Sequence, residues 1–498
     1  MKSYRLEFIV FLCGATVMVF ELVGTRVLAP HLGTSTFVWT SLIGVILGSL
    51  SIGYWTGGRI ADRKSEWEVL AGIIFLAAAI IGISTFMREI ILDLLDLHIT
   101  DIRWASALAS ILLFAPASIL LGMVSPYAVK LKSRKVEEIG TTVGDLYAFS
   151  TVGSIIGTFL AGFYLIPRFG TNNILIMISL SLTAIAIIAL PKRAIQQQIL
   201  MLLLSLMIIT CGSYQAKKYD VHNFLADVDT EYSRVQILDT KYRKSLTDKG
   251  VAVRLLRMGN TTNSGIYRDN DDLFLQYTRF FRLARYFRPD VKNSLMIGGG
   301  AFVYPMDFIR VFPNASMDVV EIDSGLTDLA LKYFRFHHDP RLRIINEDGR
   351  TFINRSRGSY EVIFCDAFSS YYSIPYQLTT LESVKHLYRL LGDDGVVIIN
   401  IISAIEGDDG RFLRAEYATF RKVFQQVYLF PVRSPDNGRL IQNIMLVGIK
   451  GEKAHAMSSK DPELESYLNH LWKKNVPLDL PILTDDFAPV DHYIGLHA

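Results

Sequence analysis

The stretch Ser294-Leu-Met-Ile-Gly-Gly-Gly300, with Met317-Asp-Val-Val-Glu-Ile-Asp323 behind it, decides how the second part of this chain folds. Residues 294–297 are a short apolar strand that runs into Gly298, Gly299 and Gly300. Residues 302–312 continue with helical spacing, and 317–320 form a second strand ending at Glu321 and Asp323. Strand, glycine turn, helix, strand and acid in that order make a nucleotide-binding βαβ unit. Glycines let the backbone approach a ligand closely, and an acid about twenty residues on can accept hydrogen bonds from ribose hydroxyls. A turn that keeps its shape without the ligand is the other reading.

Outward from this unit the alternation continues. Strands are expected at 342–346, 360–365, 395–401 and 444–449, and helices at 380–391 and 411–427. Ahead of it, 233–239 and 251–256 read as two strands joined by a polar turn, and 273–287 as a helix. In open α/β sheets ligands bind beyond the carboxyl ends of the strands. Glu321, Asp348 (followed by Gly349) and Asp366 all stand at such ends. Such a trio suits a ligand with hydroxyls, an exocyclic amine or a cationic amine. Solvated loop acids are the alternative.

The first part of the chain is different in kind. Of 498 residues 50% are hydrophobic and 20% charged, and mean hydropathy is +0.29. The apolar excess lies before residue 215 and predicts a multi-pass bundle of about seven transmembrane helices, at 8–28, 37–55, 69–86, 104–127, 146–166, 174–190 and 199–211. The last is short. Lys2, Arg5, Arg59, Arg63, Lys64, Lys130, Lys132, Arg134, Lys135, Lys192 and Arg193 mark cytoplasmic loops and a cytoplasmic N-terminus. An odd number of crossings would put the following domain outside. Gly44/Gly48, Gly53/Gly57 and Gly153/Gly157 have helix-packing spacing. Glu21 and Arg26, inside the first span, either pair structurally or line a polar cavity. The expected division is 1–215, a small β-rich part at 216–290, and a Rossmann-like domain at 291–498.

A net charge of +3 gives no nucleic-acid footprint, and three cysteines without metal-ligand spacing give neither a metal site nor a disulfide framework.

On Glu231-Tyr-Ser-Arg-Val235, residues 259–265, Met296-Ile-Gly-Gly-Gly300, Val320-Glu-Ile-Asp323, Glu347-Asp-Gly-Arg350 and Val362-Ile-Phe-Cys-Asp366, the chain resembles the spermidine synthase (polyamine aminopropyltransferase) family. The apolar part, with Gly57-Gly-Arg-Ile-Ala-Asp-Arg63 similar to a major-facilitator loop, resembles its membrane-integrated, transporter-fused bacterial branch.

The resemblance implies a class I methyltransferase fold behind a small β-domain. It also implies decarboxylated S-adenosylmethionine as co-substrate and an amine acceptor such as putrescine. By position, Glu321 would hold the ribose hydroxyls and Asp348 the adenine amine, with Gly298, Gly299, Gly300 and Gly349 lining the pocket. Asp366 would be the catalytic base.

The chain departs from the pattern on the amine side. Ala301-Phe-Val-Tyr304 replaces an acid and a glycine, and Asp366-Ala-Phe-Ser369 lacks a second aspartate. A glutamine near Asn263 and a His-Glu pair near Thr278 and Arg279 are absent.

Tyr371, Tyr372, Pro375, Tyr376 and Gln377 follow Asp366. They read either as a gate, with Tyr371, Tyr372 and Gln377 touching substrate, or as an aromatic loop packed on the core. Asp485 and Asp486 in Leu483-Thr-Asp-Asp-Phe487 resemble a recurrent tail element of the same branch. Three functions stand: an aminopropyl transferase with a small or lipid-like amine acceptor, a transporter-like or sensor protein that binds a nucleoside or polyamine, and a methyltransferase using S-adenosylmethionine. Homo-oligomers fit all three.

Overall fold

The computed structural model describes residues 4–99, 101–133, 138–191, 194–219, 224–243, 250–259, 261–367 and 374–494. The chain divides into two compact units, Met1–Asn223 and Phe224–Ala498.

The first unit is helical: α1 Arg5–Leu32, α2 Thr36–Arg63, α3 Trp67–His98, α4 Ile102–Lys132, α5 Ile139–Leu160, α6 Thr171–Ala189 and α7 Ile195–Tyr219. A π-helical turn, Ala161–Leu165, extends α5 to Arg168. Among the described residues six helices, α1 to α6, are long and apolar enough to cross ~30 Å of hydrocarbon. The seventh expected segment is helical, but the apolar run of α7, Ile195–Thr210, is shorter than the other six.

Two of the expected glycine pairs are helix crossings. A Cβ on Gly53 would meet Ile119 O at 2.2 Å, and one on Gly57 would meet Met123 Cα at 2.6 Å, so α2 and α4 touch backbone to backbone. Gly153 and Gly157 do the same for α5 against α1, at Phe11 O (2.0 Å) and Ala15 O (2.3 Å). Gly44 and Gly48 face open space and pack against nothing within 4 Å, so their spacing alone misleads. Glu21 and Arg26 are half-buried in α1. At the start of the same helix, buried Glu7 pairs with Lys132 of α4 at 2.8 Å.

The second unit holds two sheets. The small one has the order β1-β2-β3-β4 (Phe224–Asp229, Arg234–Tyr242, Val251–Met258, Thr261–Tyr267) and is antiparallel throughout. The large one has the order β10-β11-β9-β8-β5-β6-β7. Its strands are β5 Asn293–Ile297, β6 Ser316–Val320, β7 Leu342–Ile345, β8 Tyr360–Cys365, β9 Leu391–Ser403, β10 Gln426–Pro431 and β11 Gln442–Ile449.

Strands β5 to β9 are parallel; β11 runs against β9, and β10, antiparallel to β11, returns to the common direction, so β11 alone is reversed in this sheet. Counting β5 as the first strand gives 3-2-1-4-5-7-6, the class I methyltransferase arrangement of a Rossmann-like sheet. Its faces are apolar on both sides. Leu295, Ile297, Ile363, Ile399 and Ile401 face one core, while Met296, Val362, Phe364 and Ile398 face the other. That double burial is why the strands read as unbroken apolar runs.

Two expected elements change. Residues 273–287 break into a helix Gln276–Phe280 (α8), a 3₁₀ turn Phe281–Leu283 and a last turn Ala284–Phe287. The helix expected to reach Val427 stops at Arg421, because Gln426–Pro431 pairs with β11 as a strand. The edge strands β1 and β4, and the helices Ser324–Tyr333 and Gly349–Arg355, lie where no element was expected.

Candidate active site

The chain leaves β5 for β6 on one side of the sheet, and β8 lies on β5's other side. A crevice at this switch point lies beyond the carboxyl ends of the strands. Gly298 turns the chain there with φ +90°, a left-handed conformation that glycine adopts freely. A Cβ on it would meet Asp366 O at 2.5 Å, so the two loops touch. Asp366 N in turn donates to Ile297 O at 2.8 Å. Gly300 is also left-handed, at φ +52°.

Glu321 is buried and accepts three backbone N–H groups: Gly299 (2.8 Å) and Gly300 (3.0 Å) on Oε2, and Asp323 (3.0 Å) on Oε1. A carboxylate has about four acceptor positions, which leaves one for a ligand hydroxyl. Burial raises its pKa, and the three donors work against that rise. Asp323 caps the helix Ser324–Tyr333 through Gly325 N (3.0 Å) and takes the Thr230 hydroxyl at 2.5 Å. Thr230 follows β1, so the small sheet is fastened to the site. Ser264 of β4 adds a second tie by accepting from Ala301 N at 3.3 Å.

Asp348 caps the helix Gly349–Arg355, accepting Thr351 N on Oδ1 at 2.8 Å. A Cβ on Gly349 would meet Ile297 Cγ2 at 2.7 Å, which holds this loop against the end of β5.

Asp366 is gripped from two sides. Tyr277 of α8 donates to Oδ2 at 3.0 Å, and Asn400 of β9 donates to Oδ1 at 2.9 Å. Asn443 of β11 steadies Asn400 by donating to its Oδ1 at 3.0 Å. Burial pushes the Asp366 pKa up to about 6, against the pull of both hydrogen bonds. A carboxylate so tuned suits proton transfer near neutral pH.

The structure thus brings Gly298, Gly299, Gly300, Glu321, Asp348, Gly349 and Asp366 to one edge of the sheet. Gln377 lies in the one-turn helix Tyr376–Leu378, where its carbonyl accepts from Arg350 at 2.6 Å. Tyr371 and Tyr372 lie outside the described residues.

Tyr277 escaped sequence reasoning because no pattern marks it. Asn400 had a signal, as the lone polar residue in Val396-Val-Ile-Ile-Asn-Ile-Ile402. Phe302 keeps a left-handed φ of +56° and is held by stacking on Phe336 at 4.5 Å. That conformation costs a non-glycine residue about 1–2 kcal/mol.

Residues 280–448 match the spermine/spermidine synthase domain model. The polyamine aminopropyltransferase of Vibrio vulnificus is 28% identical over 254 residues, which are 47% of this chain and 81% of that protein. Polyamine aminopropyltransferase 1 of Streptomyces coelicolor is 22% identical over 417 residues, 78% of this chain and 74% of the other. The crystal structure of a probable spermidine synthase from Corynebacterium glutamicum covers 52% of this chain and 89% of its own, at 25% identity and a TM-score of 0.41. The second unit therefore carries a spermidine synthase-like domain, and its relatives are polyamine aminopropyltransferases.

Proposed function

We propose that this protein is a membrane-inserted transferase that moves an aminopropyl group from decarboxylated S-adenosylmethionine to an amine acceptor such as putrescine. One observation carries the proposal: Asp366, which with Asn400 and Gly298 lies inside the residues that match the synthase model, has its carboxylate gripped by Asn400 and by Tyr277, just ahead of those residues.

The acceptor reaches the site as an ammonium ion and must lose a proton to become a nucleophile. Asp366 attracts the cation and takes that proton as the nitrogen lone pair attacks the carbon next to sulfur. The C–S bond breaks, its electron pair stays on sulfur, and methylthioadenosine leaves as a neutral thioether. Glu321 and Asp348 orient the nucleoside: Glu321 through its remaining acceptor position toward the ribose, and Asp348 through Oδ2 toward the adenine amine. Positioning of this kind is worth several kcal/mol of barrier. Asp366 would act without the family's second aspartate.

Six apolar helices support insertion in a cell membrane. Lys and Arg in the connecting loops support a cytoplasmic N-terminus. Six crossings, with α7 not crossing, return the chain to that side, where adenosyl compounds are made. The acceptor is a small amine or a lipid-like one drawn from the bilayer.

The test is product formation from decarboxylated S-adenosylmethionine and putrescine, followed by mass spectrometry on full-length protein in nanodiscs. Aminopropylated amine from wild type and none from Asp366→Asn supports the transferase. Tight adenosyl binding without product, over a panel of soluble and lipid amines, would favour the sensor or transporter-like protein instead.

A further inference from the structure

The Leu483-Thr-Asp-Asp-Phe487 segment has a place in the fold that its sequence did not disclose. Asp485 accepts from Arg350 Nη2 at 2.6 Å and from the Thr380 hydroxyl at 2.6 Å, one on each carboxylate oxygen. Arg350 also donates from Nη1 to Gln377 O (2.6 Å) and to Thr380 Oγ1 (2.8 Å), and from Nε to Asn354 Oδ1 (2.9 Å). The tail backbone is fixed as well. Leu483 O accepts Leu381 N at 2.8 Å, and Asp485 N donates to Glu382 at 3.0 Å.

These bonds join three pieces of chain that sequence keeps apart. Arg350 follows Asp348 and Gly349. Gln377 and Thr380 lie in the segment that returns from Asp366. Asp485 comes from the tail. Between the first two, Leu378 lies 3.8 Å from where a Gly349 Cβ would be, so the returning segment closes directly over the Asp348–Gly349 loop. The Arg350 side chain is only 14% exposed while Asp485 is 48% exposed, so solvent screens the pair from the Asp485 side and the cost of losing it falls on the buried Arg350 donors.

We infer that Asp485 is a positioning residue. Through Arg350 and Thr380 it clasps the returning segment over the Asp348–Gly349 loop, and so shapes the adenine side of the pocket without touching the reacting atoms. This rests on the adenosyl-transferase reading of the same site. The clasp serves the nucleoside, not the amine, because its bonds end beside Asp348 and Gly349 while the grip on Asp366 comes from Tyr277 and Asn400.

The experiment is calorimetric titration of full-length wild type, Asp485→Ala and Asp485→Glu with methylthioadenosine, paired with steady-state kinetics. Asp485→Ala should weaken methylthioadenosine binding about tenfold or more, as loss of a charge-assisted pair implies. KM for the adenosyl substrate should rise with it, while kcat and the amine KM stay within about threefold. Asp485→Glu should recover most of the affinity. If Asp485→Ala does not fold, Thr380→Val removes half of the clasp and is read in the same way.

Unchanged methylthioadenosine affinity in Asp485→Ala would overturn the clasp and leave the transferase standing. So would a fall in kcat with both KM values unchanged. Wild type that binds no adenosyl compound would overturn both.

Discussion

Glycine does two different jobs in the two units of this molecule. In the helical unit, Gly53, Gly57, Gly153 and Gly157 have ordinary helical backbones, and the missing Cβ is what matters, because another helix's backbone occupies its place. In the α/β unit, Gly298 and Gly300 are needed for both reasons: their φ is positive, and the space beside Gly298 is filled by the Asp366 loop. The first set builds stability by letting helix backbones pack closely. The second set shapes a crevice for a ligand. Substitution should therefore damage stability in one unit and binding in the other, with little crossover.

The largest effect should come from Asp366→Asn, which removes the proton acceptor. Turnover should fall about 10²- to 10⁴-fold while methylthioadenosine still binds. In wild type, kcat/KM should drop as pH falls through about 6, because Asp366 then holds a proton and cannot take another. A profile flat through that range would remove Asp366 from the base role.

Gly298→Ala comes next. A Cβ 2.5 Å from Asp366 O on a left-handed residue should cost roughly 100-fold in adenosyl affinity, with the melting of the helical unit unchanged. Gly153→Ala should do the reverse. It should lower the stability of the bundle by about 1–3 kcal/mol, measured by unfolding in mild detergent, and leave adenosyl affinity alone. Equal loss of binding in both variants would end the distinction.

Glu416 sharpens the comparison from another side. It is fully buried in the α/β core with neither oxygen hydrogen-bonded, and burial holds its pKa well above the usual 4.5. Its stabilising contribution is complete below 4.5 and is lost as pH rises toward the folded value. The α/β unit should therefore lose stability as pH climbs above about 5, by at most ~1.4 kcal/mol per pH unit from this group. Glu416→Gln should flatten that slope, read as melting temperature against pH. The smallest effect belongs to Gly44→Ala. With open space around it, the change should be neutral or stabilise by no more than about 1 kcal/mol in the same detergent assay.

Local chemistry was legible in the sequence, and long-range packing was not. The glycine turn, the acids at strand ends and the apolar spans follow from runs and spacings within about thirty residues. The Tyr277–Asp366 bond spans 89 residues and depends on how α8 lies across the sheet, so nothing near Tyr277 announces it. Edge strand β4 was missed because its first residues, Thr261-Thr-Asn-Ser264, are polar and only partly covered, and β1 because it is short with no residue fully buried to give an alternating pattern. The small-residue spacing gave Gly44/Gly48 and Gly53/Gly57 the same signature, though only the second pair meets another helix. Spacing records which residues share a helix face, and burial decides whether that face has a neighbour.

If the α/β unit serves aminopropyl transfer as proposed, it must hold an adenosyl compound at the glycine turn. Calorimetric titration of full-length wild type and Gly298→Ala with decarboxylated S-adenosylmethionine, S-adenosylmethionine and methylthioadenosine tests it most directly. Wild type should bind the decarboxylated compound in preference to S-adenosylmethionine, and Gly298→Ala should lose that binding. Preference for intact S-adenosylmethionine, or binding of none of the three, would contradict it.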